Sequence, residues 1–160
     1  MIYKQKYADI VSRCVMLSQF EGRDYYADNG ESLYPLVKIT EQDKPLIITY
    51  IEEGAHRLEE QIERIVSSSS YTEDGFEWVL RTEETRWNAD KDFEANATDA
   101  LKSYAMSLWL DGRKSDRKDW YMNQYTELSA LCQRSIMRKS APRKRVKEPL
   151  YTDNIEIEVR

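Results

Sequence analysis

The chain is poor in the residues that most chemistry and most membrane insertion require. Among 160 residues there is one histidine, and there are two cysteines, four prolines and five glycines. No apolar run approaches the ~18 residues that a membrane helix needs, so no membrane contact is expected. The opening MIYKQKYADIVSRC has neither the apolar stretch nor the cleavage site of a secretory leader, so the protein is expected to stay in the compartment where it is made. Cys14 and Cys132 alone cannot form a zinc site or a disulfide scaffold, and both fall at apolar helical positions. They read as reduced core residues.

The scarcity of histidine and glycine excludes further classes. His56 lies among Glu52, Glu53, Glu59 and Glu60, and Glu53 and His56 have the Glu-x-x-His spacing of di-iron bundles. Such sites need a second motif of this kind, and no other histidine supplies it. His56 therefore reads as an incidental residue on a solvated acidic helix face. The glycines are scattered, without a phosphate-binding loop or a dinucleotide fingerprint, and no Gly-x-Ser-x-Gly elbow accompanies the histidine. Carboxylate pairs such as Glu83 and Glu84 arise by composition among 29 acids. The expectation is a protein with no enzymatic activity, catalytic residue, metal or cofactor.

Phenylalanine is also scarce, with 3 residues against 11 tyrosines and 4 tryptophans. Polar-tipped aromatics suit half-buried positions and subunit interfaces. Charge is unevenly distributed. Seven basic residues and no acid lie between Arg134 and Lys147, leaving 17 basic against 29 acidic residues elsewhere, a balance of −12. An acidic body ends in a basic arm.

Periodicity in the body predicts a mainly α protein, a bundle of about four helices with a small β-hairpin or strand insertion and an extended C-terminal arm ending in a strand. Tyr3, Tyr7, Ile10, Cys14 and Leu17 define one face of a first helix ending near Phe20 and Gly22. Asp28-Asn29-Gly30 marks a turn, and Leu33 to Val37 with its internal proline reads as an extended segment or edge strand. A second helix, the longest, is predicted from a Thr40 cap to Val66, burying Ile47, Ile51, Ala55, Leu58, Ile62 and Ile65 or Val66 and stopping at the serines 67–70. Gly54 within it would admit another backbone. A loop ending at Asp74-Gly75 leads to a strand or hairpin over Phe76 to Leu80, continuing through Thr82 to Trp87. A third helix carries Phe93, Ala97, Ala100 or Leu101, Tyr104, Ala105 and Leu108, with Trp109 as a further candidate. A fourth, from Ser115 or Asp116, carries Tyr121, Tyr125, Leu128, Cys132 and Ile136, and the short link at Asp111-Gly112 makes the two an antiparallel pair.

Residues 1–140 thus form a helical domain and 141–160 a basic arm. Arg143, Lys144, Arg145 and Lys147 supply its charge after Pro142, and Arg138 and Lys139 continue that charge back into the end of the domain. Beyond it Ile155, Ile157 and Val159 alternate with Glu156 and Glu158, a pattern that must find a sheet edge on its own domain or on a neighbour. These nine residues are the candidate partner-binding set. The acidic body favours a protein partner over DNA, since it would repel phosphate.

This order of parts resembles the head-tail connector, or adaptor and head-completion, proteins of tailed bacteriophages and prophages. The likeness rests on Asp43-Lys-Pro-Leu-Ile47 leading into Tyr50-Ile-Glu-Glu-Gly-Ala55, the strand at Phe76 to Leu80, the helix Ala97 to Trp109, and Trp120-Tyr121 to Ile136 with its Arg/Lys/Pro tail. It covers roughly Thr40 to Lys147. The resemblance implies a structural virion protein, made and assembled in the bacterial host cytoplasm and residing in the neck of the particle. There copies of the chain would form a ring, meeting the portal protein, the tail or further neck proteins, and, as a further candidate, packaged DNA. The segment Arg23 to Ile39 and the terminal strand depart from the family pattern. The alternative is a small helical nucleic-acid-binding or protein-interaction accessory protein.

Overall fold

The computed structural model describes residues 1–81 and 89–137. Strand β1 (Ile2–Lys6) runs directly into helix α1 (Tyr7–Gly22), and a single helical turn α2 (Tyr34–Val37) precedes helix α3 (Lys44–Gln61). A 3-10 turn at Glu63–Ile65 opens strand β2 (Val66–Tyr71), which is followed by β3 (Gly75–Leu80) and the long helices α4 (Ala89–Leu110) and α5 (Ser115–Met137). The fold is mainly helical, with one small antiparallel sheet in the order β1-β3-β2.

The helices form where the apolar spacing predicts. Ile47, Ile51, Ala55 and Leu58 are buried along α3 and Ile62 just past its end, and Phe93, Ala97, Leu101, Tyr104 and Ala105 along α4. On α5, Tyr121, Tyr125, Cys132 and Ile136 are buried and Leu128 is half-buried. Gly112, at φ 73°, takes the left-handed conformation that closes the turn between α4 and α5. These two helices share the largest packing surface among the described elements.

Several boundaries differ from the sequence expectation. Tyr3 belongs to β1, where Tyr3 and Gln5 face the core while Ile2, Lys4 and Lys6 face outward. The strand turns into α1 without a loop, so Tyr3 and Tyr7 meet the same core although only the second is helical. Leu33 to Val37 is not extended, because Pro35 occupies the first turn of α2, where its missing N–H costs nothing. Thr40 does not cap α3. Its N–H and hydroxyl donate to Asp43 Oδ2 at 2.8 and 2.6 Å, and the helix begins at Lys44. It ends at Gln61, well before Val66, and with 18 residues it is shorter than α4 (22) and α5 (23).

The serines 67–70 do not form a loop either; they make up most of β2, which pairs with β3 from Val66↔Leu80 to Tyr71↔Phe76. The backbone groups that face β3 are paired in the ladder, β2 being an edge strand, and the strand is exposed along its middle. Gly54 admits a ring rather than a backbone, since a Cβ there would lie 2.8 Å from Cδ1 of Tyr104. The expected extension through Thr82 to Trp87 and the arm from Arg138 onward lie outside the described residues, as does the boundary between the body and the arm.

Candidate functional site

Helix α1 connects two chemically different ends of the molecule. With 16 residues it is about 24 Å long at ~1.5 Å per residue. At its start the Tyr7 N–H donates to the Asp74 carbonyl at 2.9 Å, which pins the helix to the sheet. At its finish Glu21 reaches the turn between α4 and α5.

The sheet end has an apolar underside and a polar outer face. Beneath it Tyr3 packs edge-on against Phe76 and Phe93, with centroids 5.8 and 5.4 Å away, and tilted against Trp78 at 5.5 Å. Three of the polar side chains buried there, Tyr3, Gln5 and Thr98, bond to one another. The Thr98 hydroxyl donates to Gln5 Oε1 at 2.9 Å and lies 3.1 Å from the Tyr3 hydroxyl. On the outer face Lys4 pairs with Glu77 at 3.6 Å, and both are well exposed. A shallow cleft of about 350 Å³ lies here, lined by Lys4, Lys6, Ser70, Thr72, Asp74 and Glu77. Gly75 has a steric role in this sheet, because a Cβ would collide with the Gln5 carbonyl oxygen.

The opposite end is built around a buried acid. Glu21 is only 4% exposed. Arg117 donates to it through Nε and Nη2 at 2.9–3.1 Å, Lys114 Nζ at 3.3 Å and the Tyr121 hydroxyl at 3.0 Å. Burial alone would raise the carboxyl pKa, but the hydrogen bonds from Arg117 and Tyr121 and the adjacent cations outweigh it and hold Glu21 below the usual carboxylate range. Cations also lie over rings here: Arg113 over Trp109 at 3.8 Å, Arg117 over Trp120 at 4.4 Å and Lys114 over Tyr25 at 4.9 Å. Next to this cluster in sequence, Phe20 is 69% and Trp120 45% exposed. Exposed aromatics beside partly exposed arginines match the residue types enriched at protein interfaces.

The sequence signal for this cluster is present but quiet. Glu21 falls seven residues after Cys14, within the buried stripe of α1, where an acid needs a partner. The charged turn from Asp111 to Lys118 supplies one. β1 is masked in the sequence by the helical spacing of Tyr3 and Tyr7.

Among the described residues no three His, Cys, Asp or Glu side chains converge as metal ligands would. His56 is exposed and stacks on Tyr71 at 4.2 Å. Burial pushes the thiols of Cys14 and Cys132 up to about 12, far from the thiolate that a nucleophile or ligand requires. Both cysteines are free. No helix among the described residues is long and apolar enough to cross a membrane. The nine candidate partner-binding residues, Arg138, Lys139, Arg143, Lys144, Arg145, Lys147, Ile155, Ile157 and Val159, lie outside the described residues. No family model, no curated protein and no solved structure matches the chain.

Proposed function

We propose that this protein is a non-enzymatic structural subunit that assembles with copies of itself into a ring, as a head-tail connector of a tailed phage or prophage does at the portal vertex. The observation that carries this reading is the pair of unlike surfaces separated by the length of α1. A ring closed by rotation joins two different patches of each subunit, so every subunit must present both. Here one end offers an open-edged sheet with a polar face, and the other offers exposed Phe20 and Trp120 around a cation-rich cluster. The acidic body and basic arm add charge complementarity between neighbours, which serves orientation and association rate more than affinity. In this reading the portal and further neck or tail proteins are the outer partners, and the neck of the virion is the place of action.

The test is direct. The full-length chain, alone and mixed with the portal protein of the same genome, is imaged by negative stain and weighed by mass photometry. Closed rings are expected, with portal present if not without it. A chain that stays monomeric under both conditions overturns the proposal. So does DNA binding that needs no partner and falls steeply with salt, which is the signature of the accessory reading.

A further inference from the structure

The sheet ends on one side at β1, and the pairing pattern shows which of its backbone groups are left over. Leu80 N–H donates to the Met1 carbonyl at 2.8 Å and the Met1 amino group to the Leu80 carbonyl at 3.2 Å, while Tyr7 N–H donates to Asp74. Bonded pairs alternate in an antiparallel ladder, so residues 1, 3, 5 and 7 face β3. The amides and carbonyls of Ile2 and Lys4 therefore point to the open side, where no described strand lies. Ile2 is 60% exposed and the Lys4 side chain 71%. This edge can accept another strand.

We infer that the edge of β1 accepts the C-terminal segment Asn154–Val159 of a second copy of this chain, added antiparallel with Glu158 opposite Lys4 and Glu156 opposite Lys6. The inference rests on the ring reading above. Three observations select this occupant. First, the spacing matches. Lys4 and Lys6 share the outer face, and in this register Glu156 and Glu158 fall beside them. Opposite charges directly across a strand pair are favourable. The same register places Ile157 opposite Gln5 and Val159 opposite Tyr3, on the face that meets the core.

Second, the two lysines that discourage indiscriminate pairing at this edge are the feature that an acidic strand would read. Third, the arm is long enough to leave its own molecule. The Gln133 side chain donates to the Gln61 carbonyl at 2.8 Å, so α5 ends beside the close of α3. From Met137 to Asn154 there are 16 intervening residues, which reach about 53 Å when extended. A domain of this size has a radius of gyration of roughly 14 Å, so that reach extends well beyond the molecule's own width.

Two variants of the full chain, each with one introduced cysteine while the native Cys14 and Cys132 stay buried, test this. Lys4→Cys is introduced into one population and Glu158→Cys into another, the two are mixed under mild oxidation, and assembly is weighed in parallel. A disulfide joining one variant to the other is expected. Rings without that cross-link overturn the strand exchange and leave the ring reading standing. Cross-linking confined to single chains of a Lys4→Cys/Glu158→Cys double variant shows the arm returning to its own sheet, and also overturns it. Absence of both rings and cross-link sinks both readings. As a second readout, Lys4→Glu with Lys6→Glu is expected to reduce assembly at least tenfold. Adding Glu156→Lys and Glu158→Lys is expected to restore it. Failure of that rescue, with both variants folded, counts against the register.

Discussion

The two ends of α1 are held by opposite physics. At the sheet, Tyr3, Phe76, Trp78 and Phe93 exclude water and pack edge-on or tilted against one another. At the far end a carboxylate is buried and then neutralised by Arg117, Lys114 and Tyr121. Apolar burial is non-directional and tolerates repacking, whereas a buried ion pair holds only in one geometry. The aromatic end can therefore repack, whereas the ionic end fixes how the turn between α4 and α5 is set against α1. An assembly surface built on that turn would inherit its orientation from Glu21.

The largest effect is expected from truncating the aromatic end. Trp78 is fully buried, touches Tyr3 and Phe76, and donates through Nε1 to the Tyr71 hydroxyl at 3.3 Å. Trp78→Ala should cost about 4 kcal/mol through lost transfer energy and the cavity left behind. Chemical denaturation measures this directly, and a loss below about 1.5 kcal/mol would mean that the sheet is not part of the main core.

Next in size is the ionic end. Glu21→Gln keeps the shape but leaves Arg117 and Lys114 facing a neutral amide, and a loss of about 3 kcal/mol is expected for breaking a buried pair. The two ends also separate by pH. Because the folded-state pKa of Glu21 is depressed, its contribution is fully present above the unfolded carboxylate value of about 4.3 and is lost as pH falls through the folded value. Melting temperatures of the parent and of Glu21→Gln should therefore converge on acidification from pH 6 to below 4. A constant gap would show that the carboxylate charge is not what the network uses.

The same contrast explains what could be read in advance. Stripes of apolar residues at helical spacing locate α1, α3, α4 and α5 because burial follows periodicity, and the strand from Phe76 to Leu80 shows by alternation. β2 could not be found this way. Four serines carry no apolar alternation, and their strand exists because β3 offers them a ladder. β1 is short, and its inward residues include Gln5, which is acceptable in the core because Thr98 on α4, Tyr3 and the Lys6 carbonyl meet its amide. The Glu21 cluster joins residues about 95 positions apart, a juxtaposition that local pattern does not encode. Of the candidate site, the arm's charge and alternation were legible in the sequence, whereas the β1 edge that could receive it becomes visible only in the fold.

A smaller effect is expected at Gly54, where helix propensity and packing oppose each other. Alanine is favoured over glycine by about 1 kcal/mol in a helix interior. Its Cβ, however, would lie within 2.8–3.3 Å of the Cδ1, Cγ and Cβ atoms of Tyr104, a buried side chain whose hydroxyl is tied to Glu53 Oε1 at 2.6 Å. These are root atoms of the side chain and cannot yield without moving α4. Gly54→Ala should thus destabilise by about 1–2 kcal/mol net. The Gly54→Ala/Tyr104→Ala double variant should show a smaller cost from the alanine at 54 than the single variant does. Equal costs would place the strain elsewhere.

The smallest effect is expected at the single histidine. His56 is exposed, and among the described residues its one aromatic contact is the stack on Tyr71 at 4.2 Å. Tyr71 does not depend on that stack for its position, since its hydroxyl donates to Glu59 Oε2 at 2.6 Å and accepts from Trp78, and its ring also stacks on Phe76 at 5.7 Å. Removing the imidazole leaves those three contacts in place. His56→Ala should therefore cost about 0.5 kcal/mol, in the range of ordinary surface changes, and leave assembly intact. The measurement is a paired melt and mass-photometry run on parent and variant. A loss above about 1.5 kcal/mol would mean that the stack, rather than the hydroxyl's bonds, holds Tyr71 against the sheet. Loss of bound metal together with assembly would instead overturn the non-enzymatic reading, because it would give the Glu53 and His56 spacing on α3 the chemical role that the absence of a second histidine argues against.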